Sequence, residues 1–328
     1  MITLDEIRRP IREQLTDFEA FVGRQFTAEG ELLSEMLQYA LSSRGKGIRP
    51  MLVFLSAALH AGSAGKVSRR TQIAALLVEM IHVASLIHDD VIDEADQRRG
   101  RPSPNALWQS HNAVVLGDYI LARNLDIGLE SGQFDLVTHI TRSVTTLCEG
   151  EILQSDSARR QVISRERYFD IIRRKTASLL GTSASAGALS VGASREQIDT
   201  MRRFGEAIGM AFQIQDDILD YSPAARTGKP ANNDLKEGKI TLPLLAVLEH
   251  ADRERQRELL DRLAACHTDA GAVEELQAVA ERCGGMEEAA RTMQGFIDDA
   301  LGLLNGYPAS PFRDALELLV RYVAQRRE

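Results

Sequence analysis

The sequence predicts an all-α fold from three features: a long stretch free of proline, helical spacing of the apolar residues, and no alternating apolar/polar run long enough for a strand. The nine prolines stand at 10, 50, 102, 104, 223, 230, 243, 308 and 311, so 105–222 is a Pro-free run of 118 residues. A β-rich chain would break such a run with turn residues every ~8–12 positions. Ile73, Leu76, Leu77, Met80 and Ile81 recur at i, i+3, i+4, i+7 and i+8. Phe204, Ile208, Ala211, Phe212 and Gln215 step in the same way, so both stretches read as amphipathic helices.

Taken in chain order, Gly45-Lys46-Gly47-Ile48-Arg49-Pro50 stands at the entrance to an apolar helix. Its glycines let the backbone approach an anion. Residues 98–105 (RRGRPSPN) form a basic, Gly/Pro-rich loop, and 222–239 (SPAARTGKPANNDLKEGK) form a second. From Thr176 to Ser194 run 19 residues without a charge, close to the ~20 needed to cross a bilayer. Seven are Ser or Thr and three are Gly, too few large apolar side chains for insertion, so a helix buried inside the protein is expected. Its small side chains suit close packing or the wall of a cavity. Ser194 with Gln197 reads as a capping box opening the next helix. No repeat or linker divides the chain, so 1–328 is expected to be a single all-α domain of many helices.

Lys and Arg number 39 against 47 Asp and Glu, a net −8 over 328 residues, which disfavours a nucleic-acid partner. With 44% hydrophobic residues there is ample material for a core. Cys148, Cys266 and Cys283 show no paired or metal-ligand spacing, which suits a reducing cytoplasm. The N-terminal stretch MITLDEIRRPIREQL carries charge in every turn and lacks the apolar core of a secretory signal. The C-terminal Arg326-Arg327 admits two readings, an approach to a bound polyphosphate and a charged tail, of which the tail is preferred.

The chemistry is concentrated in two acidic clusters of identical form, D-D-x-x-D: Asp89-Asp90-Val91-Ile92-Asp93 and Asp216-Asp217-Ile218-Leu219-Asp220. On a helix, residues four apart share a face, which pairs Asp89 with Asp93 and Asp216 with Asp220. Both clusters lie in apolar sequence, where a carboxylate is costly without a partner. Hard divalent cations are natural partners, and Mg²⁺ binds through one or two carboxylates plus substrate phosphates. Arg98, Arg99 and Arg101 begin five residues after Asp93, Lys229 and Lys239 flank the second loop, and Lys175 precedes the uncharged helix. Two carboxylate pairs with basic loops beside them describe a cavity for a metal-bound polyphosphate. His82, His88 and Asp89 also allow a rival reading as a His-Asp metal phosphohydrolase, which leaves the second cluster and the Lys46/Arg49 pair without a role.

The stretches GKGIRP (45–50), LIHDDVIDEADQRRGRP (86–102), GDYILA (117–122), Lys175-Thr176, FQIQDDILDY (212–221), GKP (228–230) and DLKEGKITLP (234–243) resemble the trans-isoprenyl diphosphate synthases in matching order. The likeness is greatest to the long-chain, octaprenyl-type branch. It implies an isoprenoid-synthase bundle and a prenyltransferase that condenses isopentenyl diphosphate head-to-tail with an allylic diphosphate, farnesyl or geranylgeranyl. By that resemblance Asp89, Asp93 and Asp216 ligate Mg²⁺, with Asp90, Asp217 and Asp220 behind them. Arg98, Lys175 and Lys229 hold the allylic diphosphate, while Lys46, Arg49, His82 and Arg99 hold isopentenyl diphosphate. Thr176 and Gln213 sit near the cationic carbon, and Lys239 closes the site. Ala84 and Ser85, four and five residues before Asp89, are small, which implies an open tunnel and a long product. A homodimer without a transmembrane segment is expected, its product able to partition into membrane. The other readings are a short- or medium-chain synthase, a class I terpene cyclase, and a silent partner subunit.

Overall fold

The computed structural model describes residues 2–42, 45–61, 68–221 and 232–326. Its helices run in order α1 (Leu4–Arg8), α2 (Arg12–Gln25), α3 (Glu31–Ser42), α4 (Ile48–His60), α5 (Arg69–Ile92), α6 (Pro104–Glu130), α7 (Phe134–Arg160), α8 (Arg165–Ile172), α9 (Ser178–Ser190) and α10 (Arg195–Asp220). A short helix Asn233–Lys236 and the helices Leu242–His250, Arg253–Ala265, Ala270–Arg282, Gly285–Leu304 and Pro311–Gln325 complete the chain. The predicted all-α class holds. The periodic stretches lie in α5 and α10, and Ser194 and Gln197 form the expected reciprocal cap of α10.

Three details depart from the reading of the loops. Gln97–Arg98 and Arg101–Pro102 pair as a minimal antiparallel hairpin, with Arg99 (φ 54°) and Gly100 (φ 71°) at its turn. Two successive left-handed residues give the turn whose twist matches a tight hairpin. The first basic loop also ends early, because Ser103 caps α6 by accepting the Ala106 amide at 3.0 Å. In the second, 233–236 are helical, while 222–231 lie outside the described residues. The hairpin is fastened to α3 by Tyr39, whose hydroxyl donates to the Pro102 carbonyl at 2.7 Å and whose ring lies 4.5 Å from the Arg101 guanidinium.

The uncharged stretch becomes α9 and sits at the centre, with α4 and α10 packed on it and α5 and α7 beside it. Leu179, Leu180, Ala184, Ala186 and Ala188 are buried there with Ser183 and Ser185. A Cβ at Gly187 would collide with the Val53 carbonyl of α4; one at Gly205 of α10 would collide with the Leu180 carbonyl, and one at Gly209 with Ala177. The small residues at these positions therefore serve direct backbone approach, and the hydroxyls bond back within the helix, as Ser183 does to the Leu179 carbonyl at 2.6 Å. Among the described residues α5 alone is long and apolar enough to cross a membrane, and 61% of its most apolar window is buried in the bundle. A smaller apolar cluster runs from Tyr221 to Ala280 and includes Leu244, Leu248, Leu263 and Leu276.

Candidate active site

The first aspartate motif ends α5. Asp89 is partly buried, Asp93 is exposed at the helix terminus, and the Asp93 amide donates to the Asp89 carbonyl at 2.8 Å. Asp90 points the other way: it is 1% exposed and accepts from Arg98 Nε at 2.6 Å. Arg98, expected on the allylic diphosphate, is thus held by a carboxylate of the motif itself. Burial raises Asp89 to a pKa of about 6, opposed by the Lys175 ammonium and reinforced by Glu151. A carboxylate that resists ionisation in the free protein is poised to accept a cation.

The second motif ends α10, and each of its aspartates has its own partner. Asp217 is 2% exposed and accepts from Tyr168 Oη at 2.6 Å and from Gln213 Nε2 at 2.9 Å. Thr176 Oγ1 donates to Gln213 Oε1 at 2.8 Å, so Thr176, Gln213, Asp217 and Tyr168 form one chain of hydrogen bonds. Asp220 accepts the amides of Asn233 and Asp234 at 3.1 and 3.0 Å and so fastens the short helix Asn233–Lys236 within the second loop. Asp216 pairs with Arg326 of the C-terminal segment.

Lys175 comes from a π-helical turn, Arg173–Ala177, between α8 and α9. Such turns are rare and recur at functional sites. Gly150 of α7 makes room for it, since a Cβ there would meet the Lys175 amide nitrogen. The Lys175 ammonium is 2.6 Å from Glu151 and 2.7 Å from Gln154 Oε1. Its charge partly offsets the burial that raises both Asp89 of the first motif and Asp234 near the second to about 6. Lys239 likewise faces both sides, its ammonium stabilised by Glu237, Asp234 and Asp93. Two lysines between the motifs mean that both motifs open onto one space. Beside it a cavity of about 150 Å³ is lined by Lys175, Thr176, Gln213, Asp217, Asp234 and Lys239, with Tyr168, Ile171 and Leu245 among its other walls.

A second cationic group gathers at the start of α4. Arg49 is partly buried, desolvation lowers its pKa to about 10, and its Nε has no hydrogen-bond partner among the described residues. Arg99 lies against Gly45, where a Cβ would strike its guanidinium. The hairpin turn thereby separates neighbours in sequence, sending Arg98 to Asp90 and Arg99 to the glycine loop. Burial and the charges of Arg49, Arg99 and Arg98 push His82 well below the usual histidine range, leaving the ring neutral at pH 7. Such a cluster is unfavourable alone and favourable around a diphosphate. Gly47 caps α4 at φ 63°, and the Lys46 carbonyl accepts from Arg8 at 2.7 Å.

Of the expected site residues, these two groups gather Asp89, Asp93, Lys175, Thr176, Gln213, Asp217 and Lys239 on one side and Arg49, His82 and Arg99 on the other. Lys229 lies outside the described residues. Ala84 is fully buried on α5, and Ser85 donates to the His82 carbonyl at 2.9 Å. Four residues were missed. Glu151 and Tyr168 lack a motif of their own, and Asp234 lies inside the second basic loop, at the start of the DLKEGKITLP stretch. Arg326, read as part of a solvated tail, is 9% exposed and lies 4.0 Å over the Phe212 ring, so that reading is corrected.

The His-Asp reading fails on geometry as well. His88 turns toward α6, 3.4 Å from Asp118, and His82 belongs to the arginine cluster. Among the described residues no three His, Cys, Asp or Glu side chains converge to hold a metal unaided. The all-oxygen donors Asp89, Asp93 and Asp216 fit a hard cation that completes its shell with water and diphosphate oxygens.

Fold and site together define an isoprenoid synthase. Residues 30–281 match the polyprenyl synthetase family, and the chain belongs to that family. Heptaprenyl diphosphate synthase component 2 of Geobacillus stearothermophilus is 34% identical over 317 residues, 96% of this chain and 97% of that one. Among solved structures, a decaprenyl diphosphate synthase from Rhodobacter capsulatus superposes with a TM-score of 0.92 at 31% identity, covering 99% of this chain and all of that one. A polyprenyl synthase from Caulobacter crescentus CB15, complexed with calcium and isoprenyl diphosphate, has a TM-score of 0.90 at 28% identity, over 99% of this chain and 98% of the other. By class the chain is a prenyltransferase.

Proposed function

We propose that this chain condenses isopentenyl diphosphate head-to-tail with farnesyl or geranylgeranyl diphosphate, in the presence of Mg²⁺, to give a long-chain all-trans polyprenyl diphosphate near octaprenyl in length. The observation that carries the reading is the position of Lys175 and Lys239, which face Asp89 and Asp93 of the first motif and line one cavity with Asp217 of the second. Asp89, Asp93 and Asp216 are the carboxylates that would hold the metal there. When bound, it supplies positive charge opposite the departing diphosphate.

The chain's own residues supply the rest. Lys175, with Lys229 and Lys239, binds the allylic diphosphate and stabilises the negative charge that grows as its C–O bond breaks. Arg49, His82 and Arg99, joined by Lys46, bind isopentenyl diphosphate and orient its double bond toward the cationic carbon. Thr176 and Gln213 line the space beside that carbon, where apolar walls such as Ile171 and Leu245 exclude water. Attack by the double bond forms the new C–C bond, and loss of one proton restores neutrality in a chain five carbons longer. Asp90 and Asp217 act behind this site by holding Arg98, Gln213 and Tyr168 in place, and Asp220 by anchoring the second loop.

Product length in this reading rests on Ala84 and Ser85, whose small side chains would let a growing chain pass below Asp89. Relatives named for heptaprenyl and decaprenyl products bracket the octaprenyl length. The reading is tested by incubating the protein with farnesyl diphosphate, labelled isopentenyl diphosphate and Mg²⁺ and sizing the extracted products. Label in a long polyprenyl chain is expected. Label stopping at twenty carbons returns a short-chain synthase, a cyclised product returns a terpene cyclase, and phosphate release without label incorporation returns a phosphohydrolase.

The protein acts as a homodimer in this proposal. Val114, Val115, Leu125 and Leu129 are exposed on α6 beyond its break at Gln109 and fall within one ~100° stripe, an apolar face that a second copy would cover. Val115→Glu is expected to convert the dimer to monomer in sedimentation velocity. The three free thiols support a cytoplasmic location, with the product passing to membrane. Cell fractionation that finds the protein in an oxidising compartment would exclude it.

A further inference from the structure

We infer that Arg326 is a positioning residue that holds Asp216 in the free protein and sets the affinity of the second aspartate motif for its cation. The C-terminal helix Pro311–Gln325 delivers it. Its carbonyl accepts from Gln215 Nε2 at 2.9 Å, its guanidinium stacks 4.0 Å from the Phe212 ring centre, and its charged end pairs with Asp216. Contacts with Phe212, Gln215 and Asp216, within about one turn of α10, fix a side chain that is 7% exposed, against 37% for Asp216. Desolvation lowers its pKa only to about 10, so it stays charged at neutral pH. Its Nε has no hydrogen-bond partner among the described residues, a cost that an anionic ligand would relieve.

A carboxylate oxygen engaged by a guanidinium is a poorer ligand, because cation binding must first release or re-aim that partner. Arg326 therefore supplies charge compensation at Asp216 while the metal is absent, and its release frees a cation beside the diphosphate when the metal arrives. The same helix places the Tyr322 ring 5.8 Å from the Lys46 ammonium, so the segment that lets go of Asp216 also touches the other substrate group. Among the described residues no guanidinium pairs with Asp89 of the first motif in this way. The inference rests on Asp216 being a metal ligand.

The test is calorimetric titration of Mg²⁺ into the full chain without substrate, for wild type, Arg326→Gln, Asp216→Asn and the double variant. Arg326→Gln is expected to bind the cation about tenfold more tightly, the size of one modest ion pair released. In the Asp216→Asn background, removing Arg326 is expected to change nothing. Arg326→Lys should fall between, since an ammonium keeps the charge without the planar contact to Phe212. Unchanged or weaker binding in Arg326→Gln, with weaker binding in Asp216→Asn, overturns the inference and leaves the metal ligand intact. Asp216→Asn binding like wild type overturns the metal-ligand reading itself.

Discussion

The two aspartate motifs share a spacing and each ends a long helix, yet their carboxylates stand in different electrical surroundings. At the end of α5, one aspartate is consumed by Arg98, while Asp89 and Asp93 face the lysines with no partner locked in place. At the end of α10, all three are engaged: Asp216 by Arg326, Asp217 by Tyr168 and Gln213, and Asp220 by two backbone amides. The same five-residue pattern thus builds an open half-site and a latched one. Sequence symmetry sets where the carboxylates are; neighbours far along the chain decide which are free to act.

The largest expected effect comes from the carboxylates placed on the metal. Asp89→Ala and Asp216→Ala should each lower kcat by about 10²–10³-fold or more, because charge stabilisation at the leaving group is lost. Steady-state incorporation of labelled isopentenyl diphosphate measures this, and near wild-type turnover in either variant would remove that residue from the site. Ala84→Phe or Ser85→Tyr should shorten the product while leaving the first condensation intact. An unchanged product distribution would end the assignment of these two positions to the tunnel.

A third contrast concerns what is structural. Asp217→Ala leaves the Tyr168 hydroxyl and the Gln213 amide without their acceptor, and a cost of about 1–3 kcal/mol in denaturant unfolding is expected. The same substitution at exposed Asp93 should cost little stability and much activity. The smallest and most diagnostic effect is in pH. Asp89, raised from 3.8 to about 6, must be ionised to bind a cation, so activity should fall as pH drops through about 6. More Mg²⁺ should move that midpoint lower. In the metal-free protein the raised pKa works in the opposite sense: the stability this group contributes is present below 3.8 and lost as pH rises through about 6. Thermal unfolding with and without metal across that range separates the two.

How much of this was legible beforehand follows from the range of each interaction. Helical class, the capping box at Ser194 and the two acidic motifs are local patterns, and local patterns survive in sequence. The arginine cluster could be assembled only through resemblance, since Arg49, His82 and Arg99 meet across three segments. The small residues of α9 carried two meanings, cavity wall or close packing, and only the proximity of Gly187 to the Val53 carbonyl decides for packing at that point. Arg326 was misread for a physical reason: a terminal arginine looks solvated until Phe212, Gln215 and Asp216 are seen beneath it. The π turn at Arg173–Ala177 left only one trace, the glycine at 150 that admits it.

The central claim is that both motifs serve one metal-diphosphate site. Mg²⁺ binding in the presence of a non-ionisable thiolo analogue of farnesyl diphosphate, measured calorimetrically for wild type, Asp89→Asn and Asp216→Asn, tests it most directly. The account predicts cation affinity that rises with the analogue and falls at least about tenfold in both variants. Full affinity in either variant, with the analogue bound, would show that its motif stands outside the site and contradict the claim.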